Sequence, residues 1–272
     1  MTAMTATERS AQRAVDQGAA LVTGAGTGIG AAITERLAAQ GTDLVLVARD
    51  SARLEAAAAQ LRAEHGVDVL TVPLDLSRQG APAELAERLA EAGVEVGVLV
   101  NNAGAALVGT VGGADPARIR GLVDLNASAV AETTALFLPA MLARGNGAIV
   151  NIASTAAYAP APYNAAYAAS KAFVLSFTHA LWHETRDTGV RVVAVSPGAT
   201  ETPMNPGSAR GKRRPGQVAD TVMAALRGRG PAVVDGRAFV FQTFVFSRLL
   251  PTRTAARITG SYFRKGALRK QS

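Results

Sequence analysis

The 272-residue sequence contains no cysteine, which excludes disulfides and thiolate metal sites. Its three histidines, His65, His179 and His183, do not form a ligand set by spacing. His179 and His183 are four residues apart, a separation that also occurs on an ordinary helix surface, and we favour that interpretation. The sequence therefore predicts no metal site.

Long apolar runs are also absent. No stretch of about 18 consecutive apolar residues occurs, so the pattern predicts no membrane-spanning helix. Residues 1–18 carry charges where a secretory signal needs its hydrophobic centre, and they are interpreted as a flexible leader. These features predict a cytoplasmic protein.

Acidic residues are scarce in the last quarter of the chain. Residues 205–272 contain 14 Lys and Arg against 2 Asp and Glu, a net charge of +12, whereas residues 1–204 contain 14 against 19, a net charge of −5. No nucleic-acid-binding module is recognisable, so we expect no nucleic-acid partner. An anionic ligand, an anionic substrate or a membrane surface fits the basic segment at least as well.

Short aliphatic runs alternate with longer alanine-rich segments of helical period. The predicted strands are 19–23, 44–48, 67–73, 96–100, 148–152, 190–195 and 232–234. The predicted helices are 29–40, 51–64, 82–92, 116–143, 165–185 and 217–226. Because parallel neighbours need crossovers, which are usually helical, this alternation predicts an α/β fold: a Rossmann-type doubly wound parallel sheet of about seven strands with helices on both faces.

Two segments depart from this alternation. Residues 201–216 are rich in proline, glycine and basic residues, and they are predicted to form a mobile loop that can close over a site. Residues 237–272 form a basic extension that contains the aromatic stretch FVFQTFVF. The predicted organisation is therefore a single catalytic domain over 19–236, followed by this extension.

A glycine-rich loop, TGAGTGIG at Thr23–Gly30, lies between the first predicted strand and the first predicted helix. Glycine permits positive φ and close backbone approach, and the N-terminus of the following helix points N–H groups at a bound phosphate. A glycine loop in this strand–helix context predicts a dinucleotide site.

The residues after the second predicted strand bear on the choice of cofactor. An acidic residue there accepts hydrogen bonds from the ribose of NAD, whereas a basic residue suits the 2′-phosphate of NADP. Here Ala48 ends the strand and Arg49 follows, which favours NADP. Asp50 is one residue further on and keeps NAD open.

The stretch YNAAYAASK places Tyr163, Tyr167 and Lys171 at intervals of four. If the segment is helical, the three side chains form a column on one face. Such a column alone fits an ordinary half-buried helix face, so other motifs have to decide its meaning.

Six motifs occur in an order that resembles the classical short-chain dehydrogenase/reductase family over residues 19–203. They are TGxxxGxG at 23–30, NNAG at 101–104, Asn126, Ser154, YxxxK at 167–171 and PGxxxT at 197–202. Of the two tyrosines, only Tyr167 has a lysine four residues later and follows Ser154 by 13 residues. The resemblance therefore selects Tyr167 and leaves Tyr163 as a pocket-wall residue.

The resemblance implies that Asn126, Ser154, Tyr167 and Lys171 are catalytic. Tyr167 would donate a proton to a carbonyl oxygen as hydride arrives from nicotinamide, and Ser154 would orient that oxygen. Lys171 would lower the pKa of Tyr167 and hold the nicotinamide ribose. Asn126 would hold a water that links Lys171 to solvent.

The resemblance also implies a set of cofactor-binding residues. They are Thr23, Gly24, Gly26, Thr27, Gly28, Ile29, Gly30, Arg49, Asp75, Leu76, Asn102, Ala103, Gly104, Tyr167, Lys171, Pro197, Gly198, Thr200 and Thr202. Asp75 would contact adenine, and Thr202 would reach the carboxamide. Thr27 departs from the basic residue that NADP-preferring members often carry at its position, so the preference for NADP depends mainly on Arg49.

The expected substrate-binding residues are Ser154, Tyr158, Tyr163 and Ala199. A small, apolar to aromatic wall suits a hydrophobic ketone or aldehyde, so we expect NADPH-linked reduction. The alternatives are NAD-linked oxidation of a secondary alcohol and, from another class, a cofactor-sensing protein without chemistry. We expect a homodimer or homotetramer, with the C-terminal extension at a membrane surface, at a subunit interface or over the cleft.

Overall fold

Seven short parallel strands form one sheet in a computed structural model that describes residues 18–205 and 211–268. The strands are β1 (Ala19–Thr23), β2 (Leu44–Ala48), β3 (Val69–Pro73), β4 (Val96–Asn101), β5 (Gly147–Ile152), β6 (Val190–Ser196) and β7 (Ala232–Val234). Their order is β3-β2-β1-β4-β5-β6-β7, and every neighbouring pair is parallel. The predicted Rossmann-type sheet is confirmed.

Helices cover both faces of the sheet. They are α1 (Gly28–Ala38), α2 (Ser51–His65), α3 (Ala81–Glu91), α4 (Pro116–Val123), α5 (Ala129–Arg144), α6 (Ala165–Thr185), α7 (Pro215–Arg227), α8 (Arg237–Phe244) and α9 (Thr252–Leu268). One buried apolar cluster joins α1, α2 and α7 to the sheet, and a second joins α3, α5 and α6 to the opposite face. Two-sided burial explains why the strands are nearly continuous aliphatic runs.

Local sequence signals account for where several helices begin and end. The Asp50 carboxylate accepts a hydrogen bond from the Arg53 N–H at 3.0 Å and caps α2, and Gly66, with φ of 69°, ends the same helix. Asp115 caps α4 by accepting from the Ala117 N–H at 2.9 Å. The predicted helix bounds therefore agree with the structure to within one or two residues at most ends.

The region predicted as one helix over 116–143 contains a turn of π-helix, Asp124–Ser128, between α4 and α5. This is a correction to the predicted regular helix, and it places Asn126 on the irregular turn. The run Pro116–Arg144 is the one helical stretch in the described part of the chain that is long and apolar enough to cross a membrane. Because it packs on α3 and on β4 and β5, we interpret it as a helix of the folded core.

The cleft of the fold lies where the sheet order reverses. Connections from β1 run outward to β2 and β3, whereas β4 begins the other half of the sheet, so the carboxyl ends of β1 and β4 border a crevice. In open parallel sheets, ligands bind at this switch point. The glycine loop follows β1 and the NNAG motif ends β4, which brings the two motifs together.

The basic loop predicted over 201–216 is fixed at both ends. The Arg213 N–H donates to the Ala199 carbonyl at 2.8 Å, and the Glu201 N–H donates to the Arg213 carbonyl at 2.9 Å. The helix α7 begins at Pro215, slightly inside the predicted loop. Residues 206–210 lie outside the described residues, so the predicted mobility of the loop centre stays a prediction.

Residues 1–17 of the leader predicted over 1–18, and the last four residues of the chain, also lie outside the described part. The C-terminal extension is helical: a π-turn, Val245–Leu249, connects α8 to the region before α9. The ring of Phe239 packs directly on Gly198, and the Thr259 hydroxyl donates to the Pro160 carbonyl at 2.6 Å. The extension therefore contacts segments that follow both β5 and β6.

Candidate active site

The glycine loop has the shape of an anion cradle. Gly24 and Gly28 have φ angles of 66° and 58°, which side-chain-bearing residues rarely adopt. A Cβ on Gly30 would collide with the Gly24 carbonyl, and one on Gly28 would come within 3.1 Å of Cγ2 of Thr202. The first turn of α1 therefore presents N–H groups with no side chain between them and a bound diphosphate, so these residues fit a dinucleotide.

The glycine loop is fastened to the end of β4 by side-chain hydrogen bonds. The Asn102 amide donates to the carbonyls of Thr23 and Gly24 at 2.9 and 3.2 Å. The Thr23 hydroxyl accepts from the N–H groups of Asn102 and Ala103, both at 3.0 Å. Thr23 and Asn102 thus set the width of the cleft through the backbone.

Charged residues cluster at the carboxyl ends of β2 and β3. Nη1 of Arg49 lies 3.9 Å from Oδ2 of Asp75, and the Arg49 side chain is largely exposed. Burial raises the pKa of Asp75, but hydrogen bonds from Ser77 and the charges of Arg49 and Arg78 outweigh it, so its pKa lies below the usual value. Asp75 is therefore held as a carboxylate at this end of the cleft.

Arg53 is a second cation here that the sequence did not reveal. Its Cδ lies 3.6 Å from the position of a Cβ on Gly26, so the side chain runs beside the glycine loop. Nε of Arg53 is 3.7 Å from the Asp50 carboxylate. Asp50 is thus engaged by the first turn of α2, through both its capping bond and this ion pair.

Tyr167 and Ser154 meet at the carboxyl end of β5. Ser154 follows this strand and caps a short 3-10 turn, Thr155–Tyr158, by accepting from the Ala156 N–H at 3.1 Å. Burial raises the pKa of the Tyr167 phenol, and a hydrogen bond with the Ser154 side chain acts in the opposite direction. The net effect is a raised pKa of Tyr167, whereas the sequence analysis expected Lys171 to lower it.

Lys171 lies one turn after Tyr167 on α6 and is buried. Its Nζ donates a hydrogen bond to the Ile152 carbonyl at 2.8 Å. Burial lowers the pKa of Lys171 to about 8, so Lys171 has lost its proton at the higher pH where a phenol with a raised pKa ionises. This explains why burial controls the pKa of Tyr167 in this structure.

The lowered pKa of Lys171 predicts how stability depends on pH. Between about pH 8 and its unfolded value of 10.5, the unfolded chain holds a proton that the folded protein has released, so the free energy of unfolding increases with pH. We expect a contribution on the order of 2 kcal/mol from about pH 8 to about pH 10. The raised pKa of Tyr167 opposes this trend only above about pH 10.

Guanidinium unfolding of the cofactor-free protein at several pH values measures this effect. The control is Lys171→Met, which keeps most of the side-chain length and lacks the titrating group. The free energy of unfolding of this variant should not show the increase between about pH 8 and about pH 10 that we expect for the parent protein. A parent protein whose stability falls over this window in parallel with the variant would contradict the assignment.

Asn126 is completely buried on the π-turn. Its amide donates to the Ala105 carbonyl at 2.9 Å and to the Ser170 hydroxyl at 3.0 Å, and its carbonyl accepts from the Ala105 N–H at 2.8 Å. Ser170, which the sequence did not single out, donates in turn to the Tyr167 carbonyl at 2.7 Å. The Asn126 side chain therefore ties the loop after β4 to the helix that carries Tyr167.

The column of two tyrosines and a lysine does not form, which corrects the expectation for a helical segment. Helix α6 begins at Ala165, and Tyr163 precedes it with a φ of 66°. Its carbonyl accepts a hydrogen bond from the Gly109 N–H at 2.8 Å. Tyr163 thus lies on the bend that leads into α6, where its backbone carbonyl bonds to the loop after β4, and of the three residues Tyr167 and Lys171 share the helix face.

The remaining predicted site residues border the same cleft. The Tyr158 hydroxyl is 3.4 Å from the hydroxyl of buried Ser196, and the Thr200 hydroxyl donates to the Gly198 carbonyl at 3.0 Å. The predicted residues that belong to the loops and helix starts at the carboxyl ends of β1, β3, β4 and β6 are Thr27, Ile29, Leu76, Gly104, Pro197, Ala199 and Thr202. The topology therefore brings the predicted cofactor and substrate residues to one edge of the sheet.

The family profile described as short chain dehydrogenase matches residues 18–213, which is most of the chain. The chain belongs to the short-chain dehydrogenase family. This short-chain dehydrogenase is therefore an NAD(P)-dependent oxidoreductase of the dehydrogenase/reductase type, as the motifs predicted.

Known relatives align over most of their length. An uncharacterised oxidoreductase of Staphylococcus saprophyticus is 36% identical over 211 residues, which cover 76% of this chain and 90% of the relative. A solved short-chain dehydrogenase from Sphingobium yanoikuyae in complex with NADPH is 35% identical, with a TM-score of 0.76, over 84% of this chain and 92% of that one. The bulky-bulky ketone specific alcohol dehydrogenase from Comamonas testosteroni is 34% identical, with a TM-score of 0.74, over 80% and 85%.

Proposed function

We propose that this short-chain dehydrogenase catalyses the NADPH-linked reduction of a hydrophobic ketone or aldehyde to an alcohol. The observation that carries the proposal is the arrangement at the carboxyl end of β5, where the Tyr167 phenol is bonded to Ser154 and buried Lys171 lies one helical turn further along α6. A tyrosine phenol has an ordinary pKa of about 10, so it holds its proton at neutral pH and can donate it. Reduction of a carbonyl needs such a donor, whereas oxidation of an alcohol needs a phenolate base.

The proposed division of roles follows from the side chains at the carboxyl end of β5. The nicotinamide cofactor, when bound, supplies the hydride. The Ser154 hydroxyl donates a hydrogen bond to the substrate carbonyl oxygen and holds it beside the phenol. Tyr167 transfers its proton to that oxygen, so the C=O bond becomes a C–OH group. Lys171 binds the ribose of the cofactor and, because it is an ammonium at neutral pH, favours the phenolate that remains.

Asn126 is assigned a positioning role in this site. Its side chain bonds to Ala105 and to Ser170, which bonds to the backbone of Tyr167. Through these bonds it fixes the position of α6 against the loop that lines the cofactor cleft. The water-holding role predicted for Asn126 stays a prediction. The groups that would bind the water are the side-chain carbonyl of Asn126, which can accept a further hydrogen bond, and the backbone of the π-turn.

Two arginines support the proposed preference for NADPH. Arg49 follows the end of β2 without a capping role, and the Arg53 side chain runs beside the glycine loop. A 2′-phosphate at this end of the cleft would meet two guanidinium groups, which bind phosphate strongly. The carboxylate of Asp50, the group that favoured NAD, is occupied by the first turn of α2.

Replacing Arg49 with glutamine should raise the Michaelis constant for NADPH by about tenfold and leave that for NADH nearly unchanged, because only NADPH carries the 2′-phosphate. Steady-state kinetics with both cofactors measure the effect. Arg118→Gln, which removes one charge from the exposed surface of α4, is the matched control. Equal effects of Arg49→Gln on the two cofactors would contradict the assignment.

The substrate class is supported by the character of the predicted pocket wall and by a solved relative. Tyr158, Tyr163 and Ala199 offer aromatic and small apolar surface, which suits a hydrophobic carbonyl compound. The Comamonas relative is described as specific for bulky-bulky ketones, which agrees with this class. A panel of ketones and aldehydes, with NADPH oxidation as the readout, tests the proposal. Activity confined to alcohols with NAD would overturn it.

A homo-oligomer is also part of the proposal. Leu136, Leu142 and Phe173 are exposed apolar residues on α5 and α6, and the Phe173 ring stacks on Phe177 with centroids 5.8 Å apart. An apolar surface on two helices of this length is suited to a second copy of the chain. Analytical ultracentrifugation measures the oligomeric state.

A further inference from the structure

One face of α8 is apolar and exposed to solvent. Val240, Phe241 and Phe244 are 49%, 72% and 54% exposed, although residues of this type are usually buried. Arg237 and Arg248 are spaced from these residues by whole helical turns, so they lie on the same side of the helix. The π-turn shifts the position of Arg248 slightly. The opposite side of the helix contains Phe239, which packs on Gly198, and buried Thr243.

The helix α9 has the same character. Its inner side carries buried Ala255 and the contact of Gly260 with Pro162, whereas Ile258 and Tyr262 are 48% and 74% exposed. Basic residues line the exposed side. They are Arg253, Arg257 and Arg264. Each helix of the extension thus has an inner side that packs on the domain and an outer side that combines bulky apolar groups with arginine.

The outer surface of α8 and α9 is free of negative charge. Residues 236–272 contain eight Lys and Arg and no acidic residue. None of the arginines on this surface has an ion-pair partner within the residues that the structure describes. An exposed apolar stripe flanked by unneutralised cations is typical of helices that lie in the interface of an anionic membrane.

We propose that α8 and α9 bind the surface of a bilayer that contains anionic lipids. The aromatic and aliphatic side chains enter the headgroup–acyl boundary, and the arginines contact lipid phosphates and carboxylates. This is peripheral binding, because neither helix is a continuous apolar run of spanning length.

Charge decides between a bilayer and the other occupants of this surface. A second copy of the chain would bring an identical acid-free surface, so a two-fold contact would place arginines against arginines without counter-charges. A lid over the cleft does not account for the exposed side chains either, because the cleft-facing contacts are made by the opposite sides of the helices, through Phe239 and Thr259.

If the proposed function is correct, membrane binding by α8 and α9 also places the substrate pocket close to the lipid. Phe239 packs on Gly198, next to Ala199 of the predicted pocket wall, and Thr259 bonds to Pro160, between Tyr158 and Tyr163. Lipid binding by the outer sides of α8 and α9 would therefore hold both walls of the pocket near the bilayer. A hydrophobic carbonyl compound could then enter from the membrane.

Co-sedimentation of the full chain with vesicles tests the surface directly and needs no substrate. We expect binding to phosphatidylcholine vesicles that contain phosphatidylserine, little binding to phosphatidylcholine alone, and release as NaCl rises from about 0.01 M to about 0.5 M. The double variant Phe241→Ser with Phe244→Ser should lower the partition coefficient by about tenfold or more. Arg237→Gln with Arg248→Gln should lower it and reduce its salt dependence.

Arg118→Gln with Arg120→Gln is the matched control, since it removes the same charge from α4 and should leave vesicle binding unchanged. Circular dichroism and NADPH titration verify that each variant is folded. Wild-type protein that stays in the supernatant with phosphatidylserine vesicles at low salt, or aromatic variants that bind as tightly as wild type, would overturn the proposal. So would loss of the oligomer in the aromatic variants with vesicle binding intact, because the surface would then be a subunit interface. Reduction of a water-soluble ketone is measured separately, so failure of the proposed reaction is distinguishable from failure of membrane binding.

Discussion

Tyr167→Phe should lower the turnover number by on the order of a hundredfold or more, while NADPH binding persists. The variant removes only the hydroxyl, which is the proton donor assigned to the substrate oxygen and the partner of Ser154. The ring and α6 remain, so the cofactor cleft keeps its shape. Hydride transfer then has no positioned acid, and the developing alkoxide is left to draw its proton from solvent.

Stopped-flow measurement of NADPH oxidation separates the chemical step from product release, and fluorescence titration gives the NADPH affinity. The matched control is Tyr163→Phe, the same chemical change at a tyrosine only four residues away. Tyr163 lies before α6 on the bend with positive φ, so its loss of a hydroxyl should leave turnover largely intact and alter at most the choice of substrate. If Tyr163→Phe abolished turnover and Tyr167→Phe retained it, the proton donor would be assigned to the wrong tyrosine.

Much of the fold could be predicted because its determinants are local. The aliphatic runs 19–23 and 44–48 are strands with the predicted bounds, since each is largely buried and bounded by loop or turn residues. Glycine at position 30 is required by its neighbour Gly24, which is close in sequence. Patterns of this kind depend on a few adjacent residues, so periodicity and turn chemistry suffice to detect them.

The missed features depend on contacts between distant parts of the chain. Arg53 approaches the glycine loop because α2 follows β2, which pairs with β1, and no spacing rule in the sequence links positions 26 and 53. Ser170 gains its role from Asn126, 44 residues away. The π-turn that carries Asn126 has an apolar pattern close to that of a regular helix, so periodicity could not distinguish the two.

The predicted electrostatics of the site were wrong in one respect for the same reason. The residue types predicted that Lys171 would lower the pKa of Tyr167, because an ammonium four residues away on a helix is close. In the structure both groups are buried, and Nζ of Lys171 is bonded to the Ile152 carbonyl. Burial is a property of the packed fold, and it opposes the charged form of each group.

An ion pair between partly buried Arg213 and fully buried Asp235 anchors the end of the loop that follows β6. Nε and Nη2 of Arg213 donate to the two carboxylate oxygens of Asp235 at 2.8 and 2.9 Å, and the Thr221 hydroxyl donates to the same carboxylate at 2.6 Å. Asp235 is fully buried at the end of β7. The backbone of Arg213 pairs with Ala199, so this ion pair holds the substrate-side loop against the sheet.

Arg213→Met should therefore destabilise the protein by about 3–5 kcal/mol, because among the described residues it leaves the buried Asp235 carboxylate with Thr221 as its remaining side-chain donor. Guanidinium unfolding at neutral pH measures the loss. We also expect a higher Michaelis constant for the ketone, since the loop after Ala199 loses its side-chain anchor. The double variant Arg213→Met with Asp235→Asn removes the buried charge but keeps an acceptor for Thr221, and it should recover at least half of the lost stability. If the single variant unfolds at the same denaturant concentration as the parent, or if the second substitution recovers nothing, the ion pair does not hold the loop in the way described.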